Sequence, residues 1–214
     1  MGLKPVYIGD EVRHEAKEFL DLKNHWDDID YVMIPHKGLV ERIRDIAKAV
    51  HNDFQGKNVL FVPVGEGART MFSEFSVYFE LLQRYSNNPV TGDISEINVK
   101  SYQNTESTKN VEIKNFDFNK VKGRNIILFE DIIDSGRTID VLLKEMNAHN
   151  PSSVSVVALF DKRVKKEFDY KADYTGFSIP DKFVVGLGMD YNNHFRNKKH
   201  TIVLTEEAIE KYAH

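Results

Sequence analysis

Cysteine is absent from the 214 residues. Its absence excludes a disulfide framework, a thiolate metal site and a cysteine nucleophile, and it fits a reducing compartment. Long hydrophobic runs are missing too. The longest apolar stretches are strand-sized, well short of the roughly 18 residues needed to span a bilayer. The opening Met1-Gly2-Leu3-Lys4-Pro5 lacks the apolar run of a signal peptide, and Val6 stands where a myristoylation signal prefers Ser or Thr. The expectation is a soluble, cytoplasmic protein without a membrane partner. There is no excess of positive charge: 29 Lys and Arg against 33 Asp and Glu leave a net charge of −4. A mildly acidic total argues against a nucleic-acid partner, whose phosphates call for clustered Lys and Arg. No repeat, linker or low-complexity segment divides the chain. With 41% apolar and 29% charged residues, it has the composition of one globular domain with a full core.

What is present is an alternation of helix and strand patterns. Leu39, Val40, Ile43, Ile46, Ala47 and Val50 share one helical face. Val59 to Val64 reads as a short buried strand that ends in the turn Gly65-Glu66-Gly67-Ala68, and Met71, Phe72, Phe75, Phe79 and Leu82 mark the next helix. Ile97 and Val99 alternate with polar neighbours ahead of Lys100-Ser101-Tyr102, and Gln103 to Asn110 is a polar loop. Asn125 to Phe129 is a strand leading into Glu130-Asp131. Ile139, Leu142, Leu143 and Met146 form a helix broken at Asn150-Pro151, and Val154 to Phe160 is another buried strand. Continuous apolar strands alternating with helices imply a mostly parallel sheet covered on both faces. The segment after Asp173 is expected to add short strands at one end, and residues 1–30 carry little information beyond Trp26, a packing residue.

The stretch Phe129 to Thr138 concentrates the chemistry. Ligands of open parallel sheets bind outside the carboxyl ends of the strands. Here an apolar strand delivers Glu130, Asp131 and Asp134 to that edge, followed by Ser135, Gly136, Arg137 and Thr138 at a helix start. Gly136 admits a close backbone approach, and the unpaired first amides of a helix favour an anion. The segment therefore offers carboxylates for sugar hydroxyls beside a cradle for one phosphate. An acidic turn with Asp134 or Ser135 as a simple helix cap is the plainer alternative. The eight histidines show no metal-ligand spacing, and His36 and His194 read as structural or solvent-facing.

The string Phe129-Glu130-Asp131-Ile132-Ile133-Asp134-Ser135-Gly136-Arg137-Thr138 resembles the phosphoribosyl-diphosphate (PRPP) binding motif of type I phosphoribosyltransferases. Tyr31 to His36, Lys100-Ser101-Tyr102, Phe160 to Arg163, Ile179 to Gly186 and Met189 to Arg196 resemble, in the same order, the eukaryotic hypoxanthine-guanine branch of that family. The resemblance implies an α/β core over roughly residues 37–172, with a small hood built from the N-terminal segment and roughly residues 173–214. It implies a Mg²⁺-dependent enzyme of purine salvage that makes IMP or GMP and pyrophosphate from PRPP and hypoxanthine or guanine, as a homodimer or homotetramer. Glu130 and Asp131 would hold the ribose hydroxyls, directly or through the metal's water, and Asp134 would be the general base at purine N7. Ser135, Gly136, Arg137 and Thr138 would hold the 5-phosphate. Lys162 would donate to the 6-oxo group, Phe183 would stack on the base, and backbone near Val184 would read the ring edge. Asp190 would bind a second Mg²⁺ through water, Arg196 would clamp pyrophosphate, and Ser101 and Tyr102 would open the mobile lid. Taken singly, Lys162 is a strand-end lysine, Phe183 and Val184 are core residues, and Asp190 and Arg196 are a solvated loop pair.

One departure stands out. Gly65-Glu66-Gly67-Ala68 aligns with a turn of Leu-Lys-Gly-Gly type whose amides bind pyrophosphate. The glycines keep that backbone role, but Glu66 brings a carboxylate to it. At about 5 Å and an effective dielectric near 20, one such contact costs roughly 3 kcal/mol before screening. It is harmless if Glu66 faces water or a neighbouring Lys or Arg. A weakly active or inactive paralogue, acting as a nucleotide sensor or interaction protein, is therefore the competing expectation. An RNA-binding regulator is the third, and the net charge opposes it.

Overall fold

The computed structural model describes residues 2–102, 110–168 and 170–213. The elements run β1 (Val6–Tyr7), two short 3-10 helices (Ala16–Glu18 and Leu20–Asp28), β2 (Ile29–Ile34), α1 (His36–Phe54), β3 (Asn58–Pro63), α2 (Gly67–Arg84), β4 (Thr91–Ile94), β5 (Asn98–Tyr102), β6 (Asn110–Lys114), a 3-10 turn (Phe118–Lys120), β7 (Asn125–Ile133), α3 (Arg137–Ala148), β8 (Ser153–Lys162), β9 (Tyr174–Ile179), β10 (Thr201–Leu204) and α4 (Glu206–Lys211). The main sheet has six strands in the order β1-β9-β8-β7-β3-β4, each pair parallel. Helices cover both faces, as the continuous apolar strands require.

The apolar stripes fall where their spacing puts them. Leu39, Ile43, Ile46, Ala47 and Val50 of α1 and Met71, Phe72, Phe75 and Phe79 of α2 are buried against one face of the sheet, with Phe61 and Phe129 from β3 and β7. Val40 and Leu82 sit at the margins, half-buried. Ile139, Leu142 and Met146 of α3 pack on the other face over Leu60, Val62, Ile126 and Leu128. Arg42 lies buried on the apolar side of α1. Its Nε donates to Gly176 O at 2.8 Å and one terminal nitrogen to Thr175 O at 3.0 Å, fixing α1 to β9.

Two expectations need correction. The segment after Asp173 does more than add short strands at one end, because β9 pairs in parallel with β8 inside the main sheet, and β1 of the uninformative N-terminus pairs with β9. Strand β7 also continues through Glu130 and Asp131 to Ile133, since Glu130, Ile132 and Ile133 remain paired with β8. The two carboxylates are thus part of a strand instead of following it. A separate small core gathers Leu22, Val32, Val185, Phe195, Ile202 and Ala208 around the antiparallel β2–β10 pair, with half-buried Trp26 against it. Asp28 ties the C-terminal helix to this core, accepting from Lys211 Nζ at 2.8 Å and Tyr212 OH at 3.0 Å. β5 and β6 form an antiparallel ribbon whose connecting residues 103–109, the expected lid, lie outside the described residues.

Candidate active site

Strand β3 has β4 on one side and β7 on the other, so the chain leaves β3 and β7 in opposite directions across the sheet. The crevice at such a switch point is where an open α/β sheet binds ligands. Here it is framed by the turn Gly65-Glu66-Gly67 after β3 and by Glu130 to Thr138 after and within β7.

Gly136 has φ +80°, in the left-handed region, and serves as the cap residue of α3 without any side-chain capping bond. Ser135 is therefore not a conventional cap, although its Oγ lies 3.4 Å from the Arg137 amide. The first intrahelical bond runs from Asp140 N to Gly136 O at 3.0 Å, which leaves the amides of Thr138 and Ile139 without a partner inside the helix. Together with Glu130, Asp134, Ser135, Gly136 and Arg137 they line a cavity of about 80 Å³, the size of one small anion. The loop after β8 braces this cradle from behind: the amides of Glu167 and Phe168 both donate to Ser135 O at 3.1 Å. Arg137 pairs with Glu167, so its guanidinium is turned to that loop. A Cβ on Gly136 would collide with Phe168 O. Nothing in the sequence marks Glu167 or Phe168 as supports, because their role depends on a contact between two loops.

Glu130 is buried, and its Oε2 has no hydrogen-bond partner among the described residues. Burial, with Asp131 next to it, pushes its carboxyl well above the ordinary range. Asp131 is raised to about 6, chiefly by burial; the Ile132 amide and the Arg196 charge pull the other way, and Asp190 adds to the rise. An orphaned carboxylate oxygen and a second carboxylate that resists ionisation both call for hydroxyl donors or a cation. Asp131 packs so closely on Gly67 that a side chain at Gly67 would overlap its Oδ2.

Lys162, at the end of β8, is not an exposed strand-end lysine. It is 8% exposed, and its Nζ donates to Asp134 Oδ2 at 2.8 Å, with Asp181 at 3.9 Å. Phe183 is not a core residue either. It is 49% exposed, with Tyr191 in a T-shaped contact at 5.5 Å between ring centroids. Val184 is buried.

The loop from Gly186 to Arg196 carries Leu187, Asn192, Asn193 and Phe195 at positive φ. For bulky Leu187 and Phe195 that conformation is costly and marks a constrained loop. Gly188 packs against the carbonyl of Gly67, bringing the loop onto the β3–α2 turn. Arg196 donates to Gly188 O at 2.6 Å, and its guanidinium lies 2.7 Å from Asp190 and 3.5 Å from Glu66. Asp190 and Arg196 are thus an ordered pair, and Glu66 faces a cation. Gly65 has φ +63° with open space around it. Ser101 and Tyr102 lie at the end of β5.

For Mg²⁺ the donor set Glu130, Asp131 and Asp190 is chemically suitable. The ion prefers carboxylate oxygen and completes its octahedron with water and substrate phosphates. Among the described residues no group of three or more His, Asp or Glu is arranged to hold a metal unaided.

Fold and crevice together define an open α/β protein with an anion-sized cradle at a strand–helix junction and a cationic and aromatic corner beside it. The chain belongs to the phosphoribosyl transferase domain family, which it matches over residues 33–192. It is 34% identical over 212 residues to the hypoxanthine-guanine phosphoribosyltransferase of Canis lupus familiaris, covering 99% of this chain and 97% of that one. It is also 34% identical over 209 residues to the protein of the same name in Homo sapiens, covering 97% of this chain and 96% of that one. Among solved structures it is similar to a hypoxanthine phosphoribosyltransferase from Staphylococcus aureus, with a TM-score of 0.77, 25% identity, and coverage of 88% of this chain and 98% of that one. It is likewise similar to a hypoxanthine-guanine phosphoribosyltransferase from Bacillus anthracis, with a TM-score of 0.71, 30% identity, and coverage of 83% and 98%.

Proposed function

We propose that the protein transfers the 5-phosphoribosyl group of PRPP to hypoxanthine, guanine or both, giving IMP or GMP and pyrophosphate. The observation that carries this reading is the α3 cradle at Gly136, set two residues beyond Asp134 of the Lys162–Asp134 pair and a few residues from buried Glu130 and half-buried Asp131. The free amides of the cradle, with the Ser135 and Thr138 hydroxyls, take the 5-phosphate, and Arg137 contributes its backbone. Glu130 and Asp131 accept from the ribose hydroxyls, which gives the orphaned Glu130 Oε2 a partner. Lys162 donates to the 6-oxo group, a preference that excludes adenine, whose amine is itself a donor. Phe183 stacks on the ring and backbone near Val184 meets its edge.

As purine N9 attacks C1 of the ribose, the bond from C1 to pyrophosphate breaks and Asp134 takes the proton at N7. The amides of the Gly65-Glu66-Gly67 turn and Arg196 receive the departing pyrophosphate. Glu130 and Asp131 would hold one Mg²⁺ through its water and Asp190 a second, and the ions would neutralise diphosphate charge. Ser101 and Tyr102 begin a lid that keeps water from the ribosyl cation. The small core around β2 and β10 acts as the hood, and the enzyme works in the cytoplasm as a homodimer or homotetramer without nucleic-acid or membrane partners. No helix among the described residues is long and apolar enough to cross a membrane. The relatives, named as hypoxanthine-guanine enzymes, do not favour the non-catalytic alternative.

The test is purified protein with PRPP, Mg²⁺ and each of hypoxanthine, guanine, xanthine and adenine, following nucleotide formation. Turnover of an oxopurine and none of adenine is expected; no turnover of any oxopurine rejects the reading.

A further inference from the structure

We infer that Glu66 is a built-in competitor for the pyrophosphate-binding face of Arg196, one that sets how tightly PRPP is held and how readily pyrophosphate leaves. The inference rests on the assignment of Arg196 as pyrophosphate clamp.

Two carboxylates, Asp190 and Glu66, meet one guanidinium at the switch point, a third, Asp131, feels its charge, and the three are not equivalent. Asp131 is walled in by Gly67. Asp190 is anchored, its Oδ2 accepting from the Asn193 amide at 2.7 Å while Oδ1 meets Arg196 at 2.7 Å. Glu66 is held more loosely. Its side chain is 59% exposed and reaches Arg196 only at 3.5 Å. It makes no capping bond, although it is the residue before α2. The position is imposed by the backbone: Gly65 at φ +63° turns the chain so that residue 66 faces the Met189–Arg196 loop, and Gly188 brings that loop against Gly67. A carboxylate here occupies the same donor that an incoming diphosphate needs, and it carries the same sign.

Glu66 also has somewhere to go. Arg69, one helical turn on and fixed by Glu96 at 2.6 Å, already feels its charge. Glu66 is therefore a displaceable anion. Diphosphate, with more oxygens and more charge, takes Arg196 and sends Glu66 towards Arg69; as pyrophosphate departs, Glu66 returns. Because Glu66 acts through Arg196, it is a positioning residue and belongs to binding and release, not to the transfer step.

The experiment measures binding of inorganic pyrophosphate, with Mg²⁺, by calorimetry, and KM for PRPP separately from kcat. It uses the wild type, Glu66→Gln, Arg196→Ala, the double variant, and Glu80→Gln as a control for net charge on the exposed side of α2. Glu66→Gln is isosteric at an exposed position, so folding is not at stake. It is expected to bind pyrophosphate about 10-fold more tightly, or about 1.4 kcal/mol. KM for PRPP should fall in step while kcat does not rise, and Glu80→Gln should match the wild type. In the Arg196→Ala background the gain should vanish. An unchanged affinity in Glu66→Gln, while Arg196→Ala weakens binding, defeats the inference and leaves the clamp intact. A gain that persists without Arg196 also defeats it. Pyrophosphate binding indifferent to Arg196→Ala overturns the clamp assignment itself.

Discussion

Lys162 and Asp134 meet at 2.8 Å across the carboxyl ends of two neighbouring parallel strands, one step beyond the register pair Asp161–Ile133. The lysine is buried and the aspartate is more than half exposed, so the ammonium is presented at the crevice by a carboxylate that stays in contact with solvent. Removing the cation takes away the charged donor proposed for the 6-oxo position. Lys162→Met should lower kcat/KM for hypoxanthine and guanine by about 10- to 100-fold, the worth of one charge-assisted hydrogen bond. Asp134→Asn should lower kcat by about 10² to 10⁴, the range for a lost general base. Steady-state kinetics on the two variants separates these effects, and near-wild-type kinetics in either removes that residue from the site.

Asp131 gives a stability prediction with a definite sign. Its carboxyl titrates at about 6 in the folded chain, against 3.8 for the free group. The folded state therefore binds the proton more tightly, and stability is lost as pH rises from about 4 to 6. Above that window the penalty reaches up to about 3 kcal/mol. Asp131→Asn should raise the melting temperature of the free protein at pH 7 and have little effect at pH 4, while weakening PRPP binding. Thermal melts of both proteins across that range check the sign; equal stability gains at both pH values would contradict it.

Gly67 and Gly65 belong to the same turn but are required for different reasons. A methyl group at Gly67 would overlap Asp131 Oδ2, whereas at Gly65 it would meet only open space and the strain of φ +63°. Gly65→Ala should cost about 1–2 kcal/mol and leave the pocket formed. Gly67→Ala should displace Asp131 and cost PRPP affinity at least 10-fold. Denaturation curves and PRPP titrations of the pair distinguish the two.

Phe183 has an exposed ring and adds little to the core. Phe183→Ala should change stability by no more than about 0.5 kcal/mol and weaken nucleotide binding by about 1–3 kcal/mol, the value of one base–aromatic stack. A GMP titration beside a melting curve reads both, and a large loss of stability with unchanged GMP affinity would return Phe183 to the core.

Much of the architecture was legible in the chain. Apolar spacing located α1, α2 and α3, and the runs Val59 to Val64, Asn125 to Phe129 and Val154 to Phe160 located three parallel strands, because buried strands and helices differ in length and period. The turn at Gly136 and the start of α3 were legible as well, since they adjoin in sequence. Strand β9, Tyr-Thr-Gly-Phe-Ser-Ile, was not. It mixes polar and apolar residues, and nothing local says that it pairs with β8 inside the sheet. The burial of Lys162 and the openness of Phe183 were equally invisible, because a residue's exposure is decided by what other segments cover.

The order of residues alone thus determined a layered α/β chain and a strand–helix junction able to hold an anion beside carboxylates, as both follow from contacts within about ten residues. Only the tertiary structure decided that β3 lies next to β7, that Gly67 walls in Asp131, and that Glu66 faces Arg196 some 130 positions along the chain. The physical reason is that local backbone preference and hydrophobic period act over a few residues. Charge pairing and close packing act through space, and have no signature until the sheet has closed on its helices.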